Sequence, residues 1–483
     1  MDMKEAKKIA VDAVEAKKDK IYGLADEIWS HPELSLKEYG SCETYVNLLK
    51  EEGFEVEKGI LGIETSFKAS YGSGRPVIAL LAEYDALTGL SQKAGSVIRE
   101  PRDNGDTESD CGHGCGHNLL GSGALAAAIG VKAFLEQTGA EGTVELFGCP
   151  GEEGVASKAF FARDGLWQSV DAALTWHPED CNEVVTGSSN ACIQIRYDFK
   201  GKAAHASGNP DMGRSALDAA ELMNVGVQFL REHMSTRARI HYSIIDAGGK
   251  SPNVVQANAS LLYMIRCDKV KEALELKLRV DKIAEGAALM TETEVSRTFV
   301  DGLSELVPNH ALEKLLYRNF ESLGVPHYTD EERKFADELI ATYDHAGHVP
   351  GLASPYSDDY SENVKAMMQG SLNEFLLPLY DRETFEPGST DVGDVSWNTP
   401  TAQIHVAAWP DGCAGHSWQS TSSAGTSIGR KAALHAGKVL AASAVELMLD
   451  DSELKKAREE FVKRTRDGYN CPIPDGAVAK AVI

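Results

Sequence analysis

Short β-rich apolar runs alternate with segments of helical pattern along this chain. Val77 to Tyr84, Thr143 to Gly148 and Ala172 to Trp176 read as strands, and Leu119 to Leu135 reads as a helix. Strands and helices in alternation predict an α/β layer built on a largely parallel sheet. Ala402 to Trp409 is another apolar strand and Ala424 to Leu449 a long helix-like pattern rich in small residues, so the same layer resumes late in the chain.

Between these halves the pattern changes order. Cys192 to Phe199, Ile240 to Ile245, Ser260 to Ile265 and Glu294 to Phe299 read as strands, with helices over Ser215 to His233 and Lys271 to Met290. This β-α-β-β-α-β order predicts a ferredoxin-like α+β unit inserted into the first domain. The expected organisation is a catalytic domain over 1–188, an inserted domain over 189–303, and the rest of the catalytic domain over 304–483. A more polar stretch from about 327 to 388, including the cluster Ser354 to Glu362, is expected to be a helical decoration or a lid.

Composition narrows the setting. A chain of 483 residues with 43% hydrophobic and 25% charged residues has the profile of a globular protein of two or three domains. Met1 to Ile21 reads as one amphipathic helix with lysines and acids, not a signal peptide. Gly123 to Leu135, the most apolar helix candidate, is expected to fall short of membrane-spanning length and is interrupted by Lys132. Nine cysteines without a framework spacing fit a reducing compartment, so a cytoplasmic location is expected. A formal charge of -25 opposes binding to nucleic acid or anionic membrane.

Chemistry is concentrated at strand ends. Gly112-His113-Gly114-Cys115-Gly116-His117-Asn118 precedes the Leu119 helix, and a thiolate and an imidazole two residues apart can turn toward one metal ion. Two other readings compete. A phosphate loop fails because His117 stands where the third glycine is needed; Cys115 as a nucleophile with His117 as its base stays open. Pro150-Gly151-Glu152-Glu153-Gly154 follows another strand, so one carboxylate can ligate metal while its neighbour moves a proton. His177 ends the Ala172 run, Glu83-Tyr84-Asp85 ends the Val77 run, and His416 lies in the loop after the Ala402 strand. Four strands thus point candidate groups at one sheet edge, where open α/β sheets bind ligands. Asp85 is expected to orient a ligand, His113 to pack or orient, and His405 to be core.

These segments together resemble the M20 group of metallopeptidases and amidohydrolases, and most closely its aminobenzoyl-glutamate utilization branch. The resemblance spans nearly the whole chain. It is carried by Ala79 to Leu87, His113 to Asn118, Gly148 to Gly154, Thr175 to Pro178, Ala203-Ala204-His205-Ala206, Ser251 to Gln256 and His416 to Gln419. It implies a phosphorylase/hydrolase-like catalytic domain with a mixed, mainly parallel sheet, and dimerisation through the inserted domain. It also implies two divalent ions, manganese or zinc, on Cys115, His117, Glu153, His177 and His416, with Glu152 as general acid/base. His205 is implied to reach the partner's active site, with Asn253 as its companion in substrate binding.

Two departures stand out. Related amidohydrolases often read Asp-Met-Asp-Ala-Leu and end the glycine motif in Asp, where this chain has Glu83-Tyr84-Asp85-Ala86-Leu87 and Asn118. The loss of a carboxylate is expected to lower the negative charge beside the metals. The implied substrates are N-acyl amino acids, led by p-aminobenzoyl-glutamate, with Arg214 and Arg266 as candidates to hold a substrate carboxylate. A dipeptidase or aminoacylase shares this metal chemistry. A non-catalytic partner subunit of a heteromer with a sister subunit, and a cysteine hydrolase, are the rivals of other classes.

Overall fold

The computed structural model describes residues 1–102, 110–351 and 357–481. Its central sheet contains β1 (Glu55–Lys58), β2 (Phe67–Ser73), β3 (Val77–Ala82), β4 (Gly142–Gly148), β5 (Ala172–Glu179), β6 (Glu183–Val184) and, from late in the chain, β11 (Thr401–Ala407). The spatial order is β1-β2-β4-β3-β5-β11-β6. β4, β3, β5 and β11 run parallel, flanked by antiparallel β2 and β1 on one side and β6 on the other. The expected mixed, mainly parallel α/β sheet is therefore what forms.

Both faces of this sheet are covered, so its strands are continuously apolar rather than alternating. Ile78, Leu80 and Ala82 of β3 face one core, which includes α1 (Met3–Ala16), α2 (Lys18–Ser30), α3 (His117–Thr138) and α6 (Ser427–Leu449). Ala79 and Leu81 face the other, with Phe147, Phe161 and Trp167. Small residues let α3 approach its neighbours closely. A Cβ on Gly123 would stand 2.5 Å from Trp176 Nε1, and one on Gly437 would stand 2.6 Å from Ala126 Cβ.

Three helix expectations need correction. The N-terminal helix is two helices, because Lys17 leaves helical geometry (φ -101°, ψ 9°) and re-aims Ile21, Leu24, Ala25 and Ile28 at the core. The late helix begins only at Ser427, after a separate helix at Trp418–Ala424 that stops at Gly425. Most plainly, the apolar helix does not fall short of spanning length. α3 has 22 residues and α6 has 23, and both are long and apolar enough to cross a membrane. Each is mostly buried inside the fold, over 89% and 83% of its most apolar window, which is the position of a core helix. Lys132 does not interrupt α3, because its Nζ reaches Glu136 and lies over the Tyr71 ring.

The second sheet contains β7 (Ala191–Lys200), β8 (Arg239–Asp246), β9 (Asn258–Cys267) and β10 (Glu294–Leu303) in the order β8-β9-β7-β10, all antiparallel. α4 (Ala216–Leu230) and α5 (Val270–Thr291) share a core with it. The alternation of β7 explains the one-sided packing: Ile193, Ile195, Tyr197 and Phe199 enter that core. Within 327–388 lie helices Asp330–Ile340 and Asp358–Met367 and a short strand, Thr384–Glu386, paired with Gly187–Ser189. Of the polar cluster noted there, Ser354 to Tyr356 lie outside the described residues.

Candidate active site

The parallel strands bring their C-terminal ends together, and each delivers chemistry. Glu83 and Asp85 follow β3, Glu152 and Glu153 follow β4, His177 sits in the last part of β5, and His416 lies in the loop after β11. The glycine loop approaches from the start of α3. Gly116 caps that helix at φ +77°, and a Cβ there would stand 2.6 Å from Pro178 Cγ. Only glycine permits this left-handed, close-packed turn. It sets Cys115 Sγ 3.3 Å from His177 Nε2.

His117 is fully buried, and its two nitrogens differ. Nδ1 lies 2.9 Å from Asp85 Oδ1, while Nε2 stands 3.2 Å from Glu83 Oε2 without a hydrogen-bond partner. Asp85 is held by the Ser35 hydroxyl at 2.8 Å and the Glu153 backbone N–H at 3.0 Å. Burial works against the Asp85 carboxylate, but the hydrogen bond and charge of His117 outweigh it and hold its pKa below the usual range. A carboxylate on the far nitrogen of an imidazole is how proteins orient metal-binding histidines.

His416 closes the group. It has a left-handed backbone (φ +56°), costly for a residue with a Cβ, and is pinned by its N–H donating to Gly114 O at 3.1 Å. Its Nε2 lies 3.3 Å from Glu153 Oε1, a buried oxygen with no hydrogen-bond partner. Three groups of donor atoms lie mutually within 4.8 Å: Cys115, His117 and His177; Cys115, Glu153 and His416; and Glu83, His117 and Glu152. Cys115 belongs to two of them.

The donor set fits divalent cations. Ligand atoms roughly 2.0–2.3 Å from one ion stand about 3.0–3.6 Å apart, which matches the three pairs above. The orphaned His117 Nε2 and Glu153 Oε1 are further signs, since buried polar atoms are otherwise satisfied. Burial pushes the Cys115 thiol pKa up, and Glu153 adds to it; a coordinated cation acts in the opposite direction and deprotonates a thiol. Two further groups, Cys181-Glu183-His405 and Asp180-His348-Asp411, are different. Their histidines already bond a carboxylate, His405 to Glu183 at 2.8 Å and His348 to Asp180 at 2.7 Å.

A cavity of about 290 Å³ opens beside this cluster, lined among others by Glu152, His177, Glu179, Arg266, Glu386 and His405. Burial first, then the charges of Glu83, Glu153 and Asp391, push the Glu152 pKa well up. His405 is buried, as expected, but it is also a wall of this cavity, because β11 sets it beside His177 in register. Arg266 lines the cavity and donates to Ser389 Oγ at 3.2 Å. Arg214 does not: it pairs with Glu292 at 2.9 Å on the inserted unit. His205 and Asn253 are exposed and lie outside the cavity of their own chain. His113 packs through Nε2 against Ile28 O at 3.1 Å. Asn118 is buried, and its Nδ2 donates to Ala25 O at 3.2 Å and Ala424 O at 3.3 Å.

Sequence reasoning missed the support beneath the site. Lys158 is fully buried, with Nζ 2.6 Å from Glu83 Oε1 and 2.5 Å from Asp391 Oδ1. Its only local signal was a lysine directly before the apolar run Ala159-Phe160-Phe161. Glu38, also fully buried, accepts the Gly151 N–H at 2.8 Å and so holds the turn that presents Glu152.

Comparison with known proteins agrees with this geometry. Residues 79–407 match the model of peptidase family M20/M25/M40, a span that holds the candidate site from Glu83 through His405 and ends before His416. The chain is 43% identical, over 98% of both chains, to the B component of p-aminobenzoyl-glutamate hydrolase from Escherichia coli. It is 26% identical to the mouse Xaa-Arg dipeptidase over 94% of this chain and 92% of that one. Among solved structures, an aminobenzoyl-glutamate utilization protein from Klebsiella pneumoniae shares the fold, with a TM-score of 0.55 and 16% identity over 89% of this chain and 97% of that one. On this match across its strand ends, the chain belongs to peptidase family M20/M25/M40 as a metal-dependent amidohydrolase.

Proposed function

We propose that this protein hydrolyses the amide bond of an N-acyl amino acid, with p-aminobenzoyl-glutamate as the leading substrate. The observation that carries the reading is the cluster of three overlapping donor groups around Cys115 and His117 beside a cavity lined by Glu152 and Arg266. The 43% identity to a component of an aminobenzoyl-glutamate hydrolase supports the choice of substrate.

Cys115, His117, Glu153, His177 and His416 would hold two divalent ions, manganese or zinc, with Cys115 shared. Bound there, such ions would make water acidic near neutral pH and polarise the scissile carbonyl. Glu152 takes a proton from the attacking water and returns it to the leaving amine nitrogen; its raised pKa suits a group that must be protonated in one half of the reaction. Asp85 fixes the His117 tautomer. Arg266 offers the substrate carboxylate a charge-assisted partner inside the cavity.

His205 completes the site from a second subunit. Its Nδ1 accepts the N–H groups of Ser207 and Gly208, at 3.2 and 2.9 Å, which leaves the proton on Nε2, the form able to donate to a developing oxyanion. Asn253 lies beside it, through the His205–Val254 bridge. β8 is an edge strand that exposes Tyr242, Ile244 and Ile245, a surface suited to strand pairing in a homodimer. A heteromer with a sister subunit is a second arrangement, favoured because the Escherichia coli relative is named as one subunit of its hydrolase. Nine free cysteines support a reducing, cytoplasmic location.

The test is hydrolysis of p-aminobenzoyl-glutamate, N-acyl amino acids and dipeptides with manganese or zinc supplied, using Glu152→Gln as control. Release of p-aminobenzoate by the wild-type chain, with kcat reduced roughly 100-fold to 10,000-fold in Glu152→Gln at unchanged metal content, is the expected result. Near-normal turnover by Glu152→Gln would overturn the assignment.

A further inference from the structure

Glu83 is the residue of the β3 motif that departs from the aspartate of related amidohydrolases, and its two carboxylate oxygens face opposite ways. Oε1 is 2.6 Å from Lys158 Nζ, and Oε2 is 3.2 Å from the unpartnered Nε2 of His117. Lys158 in turn bonds Asp391 twice, through Nζ to Oδ1 at 2.5 Å and through its backbone N–H to Oδ2 at 3.0 Å. None of these side chains is more than 3% exposed. Asp391, Lys158 and Glu83 therefore form a buried line of charges that ends at the nitrogen of His117 that Asp85 leaves free.

The charges along this line do not balance. Two carboxylates share one ammonium, which leaves a buried excess of negative charge at the Glu83 end, and Glu152 stands beside it with its donor atom within 4.8 Å of those of Glu83 and His117. Buried charge is tolerated only when it is paired. A cation at His117 Nε2 supplies the missing partner. Its geometry fits, since an oxygen and a nitrogen each about 2.1 Å from one ion stand about 3.2 Å apart when the angle between them is near 100°.

We infer that Glu83 is a further ligand of the ion held by His117, binding through Oε2 alone because Lys158 claims Oε1. Lys158 and Asp391 act as positioning residues. The extra methylene of glutamate over aspartate is what lets one carboxylate reach the ammonium and the ion together. This inference rests on the reading of Cys115, His117, Glu153, His177 and His416 as the metal-binding set.

The experiment measures metal content by elemental analysis and metal affinity by competition with a chelator, without reference to turnover. The purified wild-type chain, Glu83→Gln, Glu83→Asp and Lys158→Met are loaded with manganese or zinc. The wild type is expected to hold two ions. Glu83→Gln keeps the shape and one oxygen for Lys158, and it is expected to weaken one of the two ions at least about 10-fold. Glu83→Asp, which keeps the charge but not the reach, should weaken the same ion and serves if the glutamine variant does not fold. Lys158→Met strips the two carboxylates of their ammonium, so the rise in Tm on adding metal should exceed that of the wild type. Two ions bound with unaltered affinity in Glu83→Gln or Glu83→Asp would make Glu83 a lysine counter-ion only, with the main reading intact. No metal bound by the wild type would instead end that reading, and this inference with it.

Discussion

The two sheets differ in how they carry their reactive groups. The central sheet gathers Glu83, Asp85, Glu152, Glu153 and His177 at one edge, buried or half-buried, with atoms left unpaired and aimed at one another. The inserted sheet carries His205 and Asn253 on two exposed loops that meet at the His205–Val254 bridge, where the His205 ring is already fixed by two backbone N–H groups. One set is costly to maintain and is oriented toward cations; the other is satisfied by itself and is oriented toward whatever docks. The contrast is that the proposed metal cradle lies within one chain, while His205 lies outside the cavity of its own chain.

The sharpest break of this comparison is Cys115→Ala. Because Cys115 belongs to two of the three donor groups at the site, this change should drop metal content below about one ion per chain and abolish hydrolysis, as read by elemental analysis and product release. Loss of a single ion would show that the thiol is not shared. Next comes His205→Ala, expected to lower kcat roughly 100-fold to 1,000-fold at unchanged metal content. Mixing these chains with Glu152→Gln chains should restore activity, because one site of the mixed dimer holds both groups; failure to do so would mean that the two act within one chain. Asp85→Asn should cost about 10-fold to 100-fold in metal affinity or activity, by chelator competition and kinetics.

A last effect falls on stability rather than rate. Burial, and then the charge of His117, lower the His113 pKa from 6.5 to about 3. The unfolded chain therefore takes up a proton near pH 6.5 that the folded chain refuses, so this group costs nothing above that pH and destabilises the fold progressively as the pH falls toward 3. By pH 4 the difference is about 3 kcal/mol. His113→Gln should flatten the fall in urea midpoint between pH 7 and pH 4; an unaltered slope would place the acid sensitivity elsewhere.

Much of the site was legible because its signals are local. Gly116 and Cys115 are neighbours in the chain, and Glu152 and Glu153 follow directly on an apolar strand, so spacing alone suggested ligands at one edge. What stayed hidden depends on distant partners. Lys158 and Asp391 are 233 residues apart, and no periodicity links a lysine in an apolar helix to an aspartate beyond the insert. His405 read as core because an apolar strand says nothing about a cavity beside it. Arg214 drew notice only as a cation, and its pairing with Glu292, a surface residue 78 positions on, has no local signal.

The position of β11 has a consequence for how the protein is made. This strand slots between β5 and β6, and among the described residues β6 pairs with it alone. During synthesis the first part of the sheet must wait, with a gap at that edge, until the whole insert and most of the remaining chain have left the ribosome. His416 arrives later still. A growing chain thus holds Cys115, His117, Glu153 and His177 long before His416 can join them.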